Sequence, residues 1–539
     1  MAPVVLELTP SYIPLFLSTL HVTTVAGLLY IIGLGLCRSQ VGLGPAQDTR
    51  HRTSQRLKLA TAFGSLAALG FSLAVTSGLG YLTLSYKVWA FERGIEVPDS
   101  VFKSSLWSSA PVNGSNLYLA QWLSDTPIYF DAFEILTEKA RRLWWGQQLD
   151  LAIVSWTTLL AIEGRRRKIP FLWAYALEAH LVSLSFAQNL FYVSLLLTPS
   201  PIPLQDTRLA KFLNKVFPAK PQNWAPNLSV FLVPLALSYA AIFSLPSVSG
   251  TTWFPTVITM AKLLSFAPLF LPAIIPESWG TTHSHIHDAY RDISKVFQVM
   301  SVVSALLHAK ASVNGLLYNL PDAYKHRHSI KIPFDTEKRS AWDRSATAFE
   351  KVLGAVMDHP VVAAAGKDVL LSALSLGLWA AVRAMDAGDI AKSAVPSYVA
   401  FGSSPLGKTS ADAPETEPRL NDEAPGPSSI ASKLRDRPTQ SRISNISSSN
   451  DPSDDGVPMP RKRGHPQKIK AEPKVDPEEI PDDGTYEPTP EEQSSIVEGD
   501  IIPGDEFDWE SAALAWVLTV LGGLGAGSAA VFGAECVSR

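Results

Sequence analysis

Two carboxyl groups lie inside long apolar runs of this sequence and could act as acids. Glu178 is about ten residues into the run 169–198, and Asp150 is about two turns into the run 143–162. Ionisable side chains at membrane depth are costly and usually face a cavity or a partner. Because burial favours the uncharged form of a carboxyl group, both residues are candidate proton donors. Hydrogen bonding between helices is the structural alternative for Glu178.

A polar stripe extends from Glu178 along the same run. If residues 169–198 form one helix, Glu178, Ser185, Asn189 and Tyr192 are spaced i, i+7, i+11 and i+14 and share one face. A carboxyl group in line with amide and hydroxyl groups is typical of a cavity lining. The spacing therefore predicts that this face binds a substrate or solute.

A histidine cluster follows the sixth apolar run. His283, His285 and His287 alternate, and the first and last have the i, i+4 spacing of helical metal ligands. The chain has 11 histidines but no adjacent pair, which excludes membrane di-iron enzymes built on paired histidine boxes. An imidazole titrates near neutral pH, so we predict His283 and His287 as acid/base groups at a pocket mouth rather than metal ligands. A surface loop is the alternative.

Nine apolar runs are long enough to cross a bilayer, which takes about 20 helical residues. Three runs have no Asp, Glu, Lys or Arg: 11–37, 59–86 and 511–534. The uncharged stretch 221–261 is too long for one span, so it divides near 247–252 and its second part continues to about residue 275. The other runs are 143–162, 169–198, 293–320 and 360–383. The predicted fold is all-α, a polytopic transmembrane bundle of about eight spans with one further C-terminal span.

Residues 401–508 have a different composition from the rest of the chain. They hold 12 Lys and Arg against 23 Asp and Glu, and 16 of the 40 prolines. So little apolar surface cannot offset the entropy of ordering. The predicted organisation is a transmembrane domain over 1–390, a disordered acidic linker over 391–508 and a transmembrane helix over 509–534. Which protein binds the linker stays open.

The basic loops indicate an orientation, because Lys and Arg are enriched in cytosolic loops. The stretches 38–58, 165–168 and 325–344 fall on one side if the N terminus is lumenal, whereas the basic loop 204–222 then falls on the other. In this arrangement the segment 117–136 is interfacial or re-entrant, and Asn113 begins a lumenal glycosylation sequon. The prediction is a multi-pass protein of the endoplasmic reticulum or another endomembrane.

Several classes of protein are excluded by what the sequence lacks. Cys37 and Cys536 lie about 500 residues apart, so a disulfide scaffold or a cysteine zinc site is not expected. No phosphate-binding glycine motif is present, and no Asp-rich diphosphate motif lies in the apolar runs. We therefore expect no cofactor, no metal and no nucleic-acid partner, and the lipid bilayer is the expected environment.

Four sequence runs carry a resemblance to a known group of proteins. They are 144–150 (WWGQQLD), 161–168 (AIEGRRRK), 185–191 (SFAQNLF) and 197–203 (LTPSPIP). The residues of these runs resemble those of fungal multi-span membrane proteins. Some members of that group look like terpene cyclases of meroterpenoid secondary metabolism, of the ascofuranone type. The resemblance covers about residues 1–390 and does not extend to the acidic linker.

The resemblance implies a reaction without metal or nucleotide, in which a protonated carboxyl opens the terminal epoxide of a farnesyl chain. Glu178 or Asp150 would be the acid. Trp156, Trp173 or Tyr175 would face the developing cation, in a dry pocket that a lipophilic prenylated substrate enters from the bilayer.

A membrane protein without enzymatic activity is the competing interpretation. Prolines interrupt the apolar stretch 221–275, as in the broken helices of transporters. A transporter or channel would use the polar stripe to bind a solute, and a scaffold would display the acidic linker.

Overall fold

The computed structural model describes residues 12–41, 53–95, 118–198, 220, 224–283, 286–324, 337–395 and 507–537. In these ranges the chain is an all-α bundle, as predicted. The β-structure found there is one antiparallel ladder, Trp224–Pro226 with Gly280–Thr282, and a single bridge between Tyr324 and Lys338. Most of the acidic linker at 391–508 lies outside the described ranges.

The helices are numbered here in chain order. They are α1 (Ile13–Val41), α2 (Thr53–Glu92), α3 (Leu119–Asp125), α4 (Ile128–Glu138), α5 (Ala140–Arg166), α6 (Leu172–Leu181), α7 (Leu184–Leu197), α8 (Leu228–Val248), α9 (Phe254–Leu264), α10 (Ala267–Ile274), α11 (Ile286–Leu317), α12 (Ala341–Gly354), α13 (Pro360–Arg383), α14 (Ala387–Ala394) and α15 (Trp509–Val537).

Six of these helices are long and apolar enough to cross a membrane, or seven segments if the bent pair α9–α10 is counted as one. The chain is therefore a multi-pass membrane protein. Helix α5 is not among the six, because Gln147, Gln148 and Asp150 interrupt its apolar sequence. It is nevertheless the central helix, since nearly every residue from Trp145 to Gly164 is buried against its neighbours.

The two ends of the bundle differ in how deeply their charged side chains are buried. At one end, here called the charged end, the side chains of Arg56, Glu163, Arg167, Arg383 and Glu535 are almost completely buried. Arg167 lies 3.5 Å from the Glu163 carboxylate, and Arg383 lies 3.4 Å from the Glu535 carboxylate. Pairing offsets part of the cost of desolvating these charges. The opposite end, where α3, α4 and α12 pack, is called the far end.

Seven segments connect the two ends within the described ranges: α1, α2, α5, α8, the pair α9–α10, α11 and α13. In α2, Arg56 at the start bonds the carbonyl of Leu196 at the charged end, and Trp89 bonds Asp125 at the far end. Helix α11 leads to the far end, where Ser312 accepts a hydrogen bond from Trp144 at 2.9 Å.

Helices α6 and α7 form a hairpin instead of one continuous span. The chain is extended at Ser183, whose hydroxyl caps α7 by accepting the N–H of Phe186. The end of α7 returns to the charged end, because Arg167 donates to the carbonyls of Leu195 and Thr198 at 2.9 Å each. The run 169–198, predicted as a single span, therefore enters the bundle and leaves it at the same end.

Helix α15 is a second hairpin. It is long enough for a span, but its backbone is non-helical at Gly523, with φ 80° and ψ 164°. A Cβ at Gly527 would overlap the hydroxyl of Thr519, although residues eight apart in a straight helix are separated by about 12 Å. Asp508 bonds the carbonyl of Ala381, and Glu535 pairs with Arg383, so both ends lie at the charged end.

The first hairpin changes the side on which later loops begin. The basic loop after Thr198 starts at the charged end, together with the stretch 165–168, which removes the conflict noted for loop 204–222. The loop after α11 starts at the far end instead, so the stretch 325–344 does not share a side with the other basic loops. The segment 117–136 forms two short helices, α3 and α4, at the far end and does not cross the bundle.

Candidate functional site

An ion pair lies inside the bundle, where α5 meets α9. The ammonium group of Lys262 donates to a carboxylate oxygen of Asp150. Asp150 is the eleventh residue of α5, about 15 Å along the helix at 1.5 Å per residue. Both side chains are partly exposed, at 18% and 27%, so the pair is not sealed in the core.

A histidine from the first hairpin completes this group. The Nε2 atom of His180 lies 2.9 Å from the hydroxyl of Ser265, and the imidazole packs against Phe266 with ring centroids 4.9 Å apart. Its Nδ1 atom is buried and has no hydrogen-bond partner among the described residues. Asp150, His180, Lys262 and Ser265 are called the central polar group below.

The central polar group lies at a break in the helices. Helices α9 and α10 meet at an angle of 58° around Ser265 and Phe266. Pro268, in the first turn of α10, has no N–H to continue the α9 hydrogen-bond ladder. A broken helix exposes backbone polar groups near membrane mid-depth, which is where transporters bind ions and solutes.

Glu178 lies on α6, one turn before the hairpin turn. Its side chain is fully buried, and neither carboxylate oxygen has a hydrogen-bond partner within the described ranges. It is two residues from His180, which places the two side chains on different faces of α6. The structure therefore does not bring Glu178 and Asp150 together in one group.

Two of the three predicted aromatic residues share a contact. Tyr175 and Trp156 both pack edge-on against Phe191, with centroid distances of 5.7 and 6.4 Å. Tyr175 is one turn from Glu178 on the buried face of α6. Trp173 is 40% exposed on the outside of the bundle, so it does not contribute to this interior cluster.

The predicted polar stripe divides at the hairpin turn. Glu178 stays on α6, whereas Ser185, Asn189 and Tyr192 lie on the face of α7 that packs against α13. Asn189 donates to the hydroxyl of Ser375 at 2.9 Å, and the Tyr192 ring stacks on Trp379 with centroids 4.3 Å apart. The three α7 residues thus form an interface between two helices.

The histidines predicted at a pocket mouth lie at the charged end, away from the central polar group. His283 is half-buried beside the β-ladder, and its Nε2 lies 3.0 Å from the hydroxyl of Thr281. The backbone of His287 belongs to the first turn of α11, and its side chain is outside the described part, as is His285. Searching the described residues for three metal-ligating side chains finds no cluster. Asn113 also lies outside these ranges.

An apolar groove opens on the side of the bundle. It has a volume of about 140 Å³ and lies between α2, α13 and the start of α15. Phe63 forms its floor and separates it from the stacked rings of Tyr192 and Trp379. No candidate acid lines this groove.

Three residues that matter here were missed by sequence reasoning. Lys262 was visible as the single charge in the apolar stretch 221–275, His180 as an ionisable neighbour of Glu178, and Asp368 as an acid inside the run 360–383. Each has a role only through a partner on a different helix. A single sequence does not show such pairing.

Comparison with protein-family models, curated proteins and solved structures gave no match for this chain. The function of the chain is therefore inferred from its own sequence and geometry.

Proposed function

We propose that this chain is a membrane transport protein and that the central polar group is its solute site. The observation that carries the proposal is the Asp150–Lys262 ion pair inside the bundle, at the break between α9 and α10. Ionisable residues at this depth are expensive and typically belong to ion, proton or substrate pathways.

The ion pair indicates the class of solute. A carboxylate or ammonium group on a small solute can replace one member of the pair without leaving the other charge unpaired. His180 adds an imidazole next to Lys262, and a carboxylate solute bound there would favour its protonated form, so proton movement can accompany binding. The expected cargo is a small charged solute that moves together with, or in exchange for, a proton.

Reconstitution into liposomes tests this proposal. The purified protein is placed in vesicles that contain a pH-sensitive dye, and small carboxylates, amino acids and organic cations are added in turn. At least one solute should cause proton flux above that of empty vesicles. The variant Asp150→Asn should lose this flux about tenfold or more, because the Lys262 ammonium group then lacks its carboxylate partner inside the bundle.

A matched control is available at the far end. Asp358 forms a partly exposed ion pair with Arg141 at 2.7 Å, and Asp358→Asn should leave the flux unchanged. Equal flux in Asp150→Asn and wild type would remove the central polar group as the site. No flux in wild type with any solute would count against transport.

A second candidate function is acid-catalysed cyclisation of an epoxidised prenyl chain, as the sequence resemblance implies. One observation favours it: the Glu178 carboxyl is buried, lacks a hydrogen-bond partner within the described ranges and lies one turn from Tyr175. A buried carboxyl near aromatic rings suits a proton donor whose product is a cation.

Microsomes that contain the protein test the second function with an epoxyfarnesyl phenol as substrate. Cyclised product should form with wild type and disappear with Glu178→Gln, which keeps the size of the side chain but carries no acidic proton. Glu510→Gln, at an exposed site in the first turn of α15, is the control and should retain activity. Unchanged turnover in Glu178→Gln would exclude Glu178 as the acid.

A further inference from the structure

The interface between α7 and α13 is unusually polar for the interior of a membrane bundle. Its side chains are Ser185, Asn189 and Tyr192 on α7, and Asp368, Ser372, Ser375 and Trp379 on α13. The set is called the α7–α13 seam. The α13 residues are spaced by three or four positions, so they form one continuous face. Six of the seven side chains are buried, and Asp368 is half-buried.

The seam begins at the turn of the first hairpin. The Asp368 carboxylate accepts the backbone N–H groups of Leu184 and Ser185, at 2.9 and 2.7 Å. One turn closer to the charged end, Asn189 donates to Ser375. The stacked rings of Tyr192 and Trp379 follow, and the seam ends beside Arg383, whose guanidinium lies 5.6 Å from the Trp379 ring.

Three polar atoms along the seam lack a hydrogen-bond partner among the described residues. They are the side-chain oxygens of Asn189 and Ser372 and the indole nitrogen of Trp379. All three residues are fully buried. An unpaired buried donor or acceptor costs about 1–3 kcal/mol, so native proteins normally satisfy such groups with protein or ordered water.

We propose that the α7–α13 seam is a water-filled path that leads from the charged end to Asp368. Water is the ligand that fits, because the unpaired atoms include both acceptors and a donor, and a buried water typically makes about three hydrogen bonds. The Ser375 hydroxyl and the Asp368 carboxylate provide further partners. The charged end, where Arg383 and Glu535 form an ion pair, is the polar entrance.

The seam is separate from the central polar group. It lies on the α13 side of the first hairpin, whereas Asp150, His180 and Lys262 lie on the side of α5 and α9. The proposal therefore does not depend on transport by the central polar group, and the experiment below gives its answer whether or not a solute is found.

Cysteine labelling in native membranes tests the proposal. The full chain is prepared with Cys37→Ser and Cys536→Ala, and single cysteines are then introduced at Ser372, Ser375, Leu370 or Leu374. Silver ion, which is small enough to follow water, blocks accessible thiols. After denaturation the remaining thiols are counted with a maleimide that shifts mobility on a gel.

The labelling compares two positions on the outer surface of α13 with two buried positions in the seam. Leu370 and Leu374 are 61% and 42% exposed on the outside of α13, where lipid covers them, whereas Ser372 and Ser375 are fully buried. Thiols react as thiolates, which form only in contact with water. Ser372→Cys and Ser375→Cys should therefore be blocked about tenfold faster than Leu370→Cys and Leu374→Cys. Equal rates at the four positions, or faster blocking of the outer pair, would overturn the proposal.

A measurement on the unmodified chain covers the case in which a variant does not fold. X-ray radiolysis turns bound water into hydroxyl radicals that oxidise adjacent side chains. Trp379 and Tyr192 should be oxidised in the native membrane although both are fully buried. Phe297, equally buried in an apolar part of the core, should not. Protection of all three side chains would contradict a hydrated seam.

Discussion

Asp368 holds the turn of the first hairpin against α13. Its carboxylate satisfies two backbone N–H groups at the start of α7, where the helix dipole favours a negative charge. These N–H groups belong to the first turn of α7 and have no acceptor within the helix. The position of the hairpin thus depends on one side chain from a distant part of the sequence.

Asp368→Ala should destabilise the protein by about 2–6 kcal/mol, because it removes the charged acceptor of two N–H groups, at about 1–3 kcal/mol each. Asp368→Asn, which keeps an acceptor oxygen, should lose less. Thermal unfolding in detergent measures both. Asp389→Ala, which removes an exposed ion pair with Lys392, should cost less than about 1 kcal/mol. Equal losses of thermal stability in Asp368→Ala and Asp389→Ala would contradict the role of Asp368 in holding the hairpin turn.

His359 caps the start of α13 with a ring nitrogen. Its Nδ1 accepts the N–H of Val361 at 3.2 Å, and a protonated imidazole cannot accept this bond. Burial, together with the positive charge of Arg142, lowers the pKa of His359 from its ordinary value of 6.5. The folded state therefore favours the neutral ring.

The pH dependence follows from the sign of that shift. Because the pKa of His359 is lower in the folded state, its contribution to stability is present above pH 6.5 and is lost as the pH falls towards the folded pKa. The melting temperature of wild type should thus decrease from pH 7.5 to 5.5 more than that of His359→Asn, whose amide caps the helix without titrating. Parallel pH profiles for the two proteins would exclude His359 as the titrating cap.

At the scale of elements, the two hairpins decide the architecture, and both depend on short irregular turns. In α15 the turn is at Gly523, in a backbone region that only glycine adopts readily. The His308 ring lies against it, 2.6 Å from where a Cβ would be. Polar side chains of α5 hold the adjacent backbone, since Gln148 accepts the N–H of Leu524 and Ser155 donates to the carbonyl of Gly525.

Gly523→Ala should destabilise the chain by more than about 2 kcal/mol, because it adds the strain of an alanine in a glycine-only backbone region to the overlap with His308. Gly33→Ala is the matched control. Gly33 is inside α1 with no atom near its Cβ position, so alanine there should be neutral or stabilising. Thermal unfolding in detergent separates the two variants, and a neutral Gly523→Ala would argue against a tight turn.

The helices could be predicted from the sequence, but the hairpins could not. All nine predicted apolar runs are helical, and α13 has the predicted bounds of 360–383. Two arms of 10 and 14 residues joined at Val182 and Ser183 have the same length and hydropathy as one span. The hairpin differs from a single span by the hydrogen bonds of Arg167 to carbonyls 28 and 31 residues later. These bonds are tertiary contacts.

Only part of the candidate site could be predicted from the sequence. Asp150 and Glu178 stood out because charge is rare in apolar runs, and the α7 residues of the stripe do share a face. The assumption of one continuous helix placed Glu178 on that face, and the hairpin turn separates it. Lys262 pairs with Asp150 across 112 positions, and no local spacing rule predicts such a pair.

At the scale of the whole molecule, the hairpins fix which parts of the chain share a side of the membrane. Val395 follows α14 and Phe507 precedes α15, and both α14 and the two ends of α15 pack at the charged end. A tag inserted between residues 396 and 506 and a tag after α15 should therefore be on the same side. A tag on the N-terminal side of α1 should be on the opposite side, because seven segments cross in between.

Protease protection of sealed microsomes measures these positions. Cleavage of the linker tag and the C-terminal tag should occur together, with the N-terminal tag in the opposite state. If α15 crossed the membrane as a single helix, the linker and C-terminal tags would differ. That outcome would overturn the hairpin assignment.

The second hairpin also has a consequence for biosynthesis. The arms of α15 fill the space between α5, α11 and α13, yet more than 100 residues separate them from the rest of the bundle in the sequence. The ribosome therefore completes the other described helices while Gln148 and Ser155 still lack the backbone groups to which they bond. The nascent protein must keep this gap open, or a chaperone must cover it, until the last residues are made. The acidic linker can meanwhile stay on the side where it is synthesised, since closure of the bundle does not require its charges to cross the bilayer.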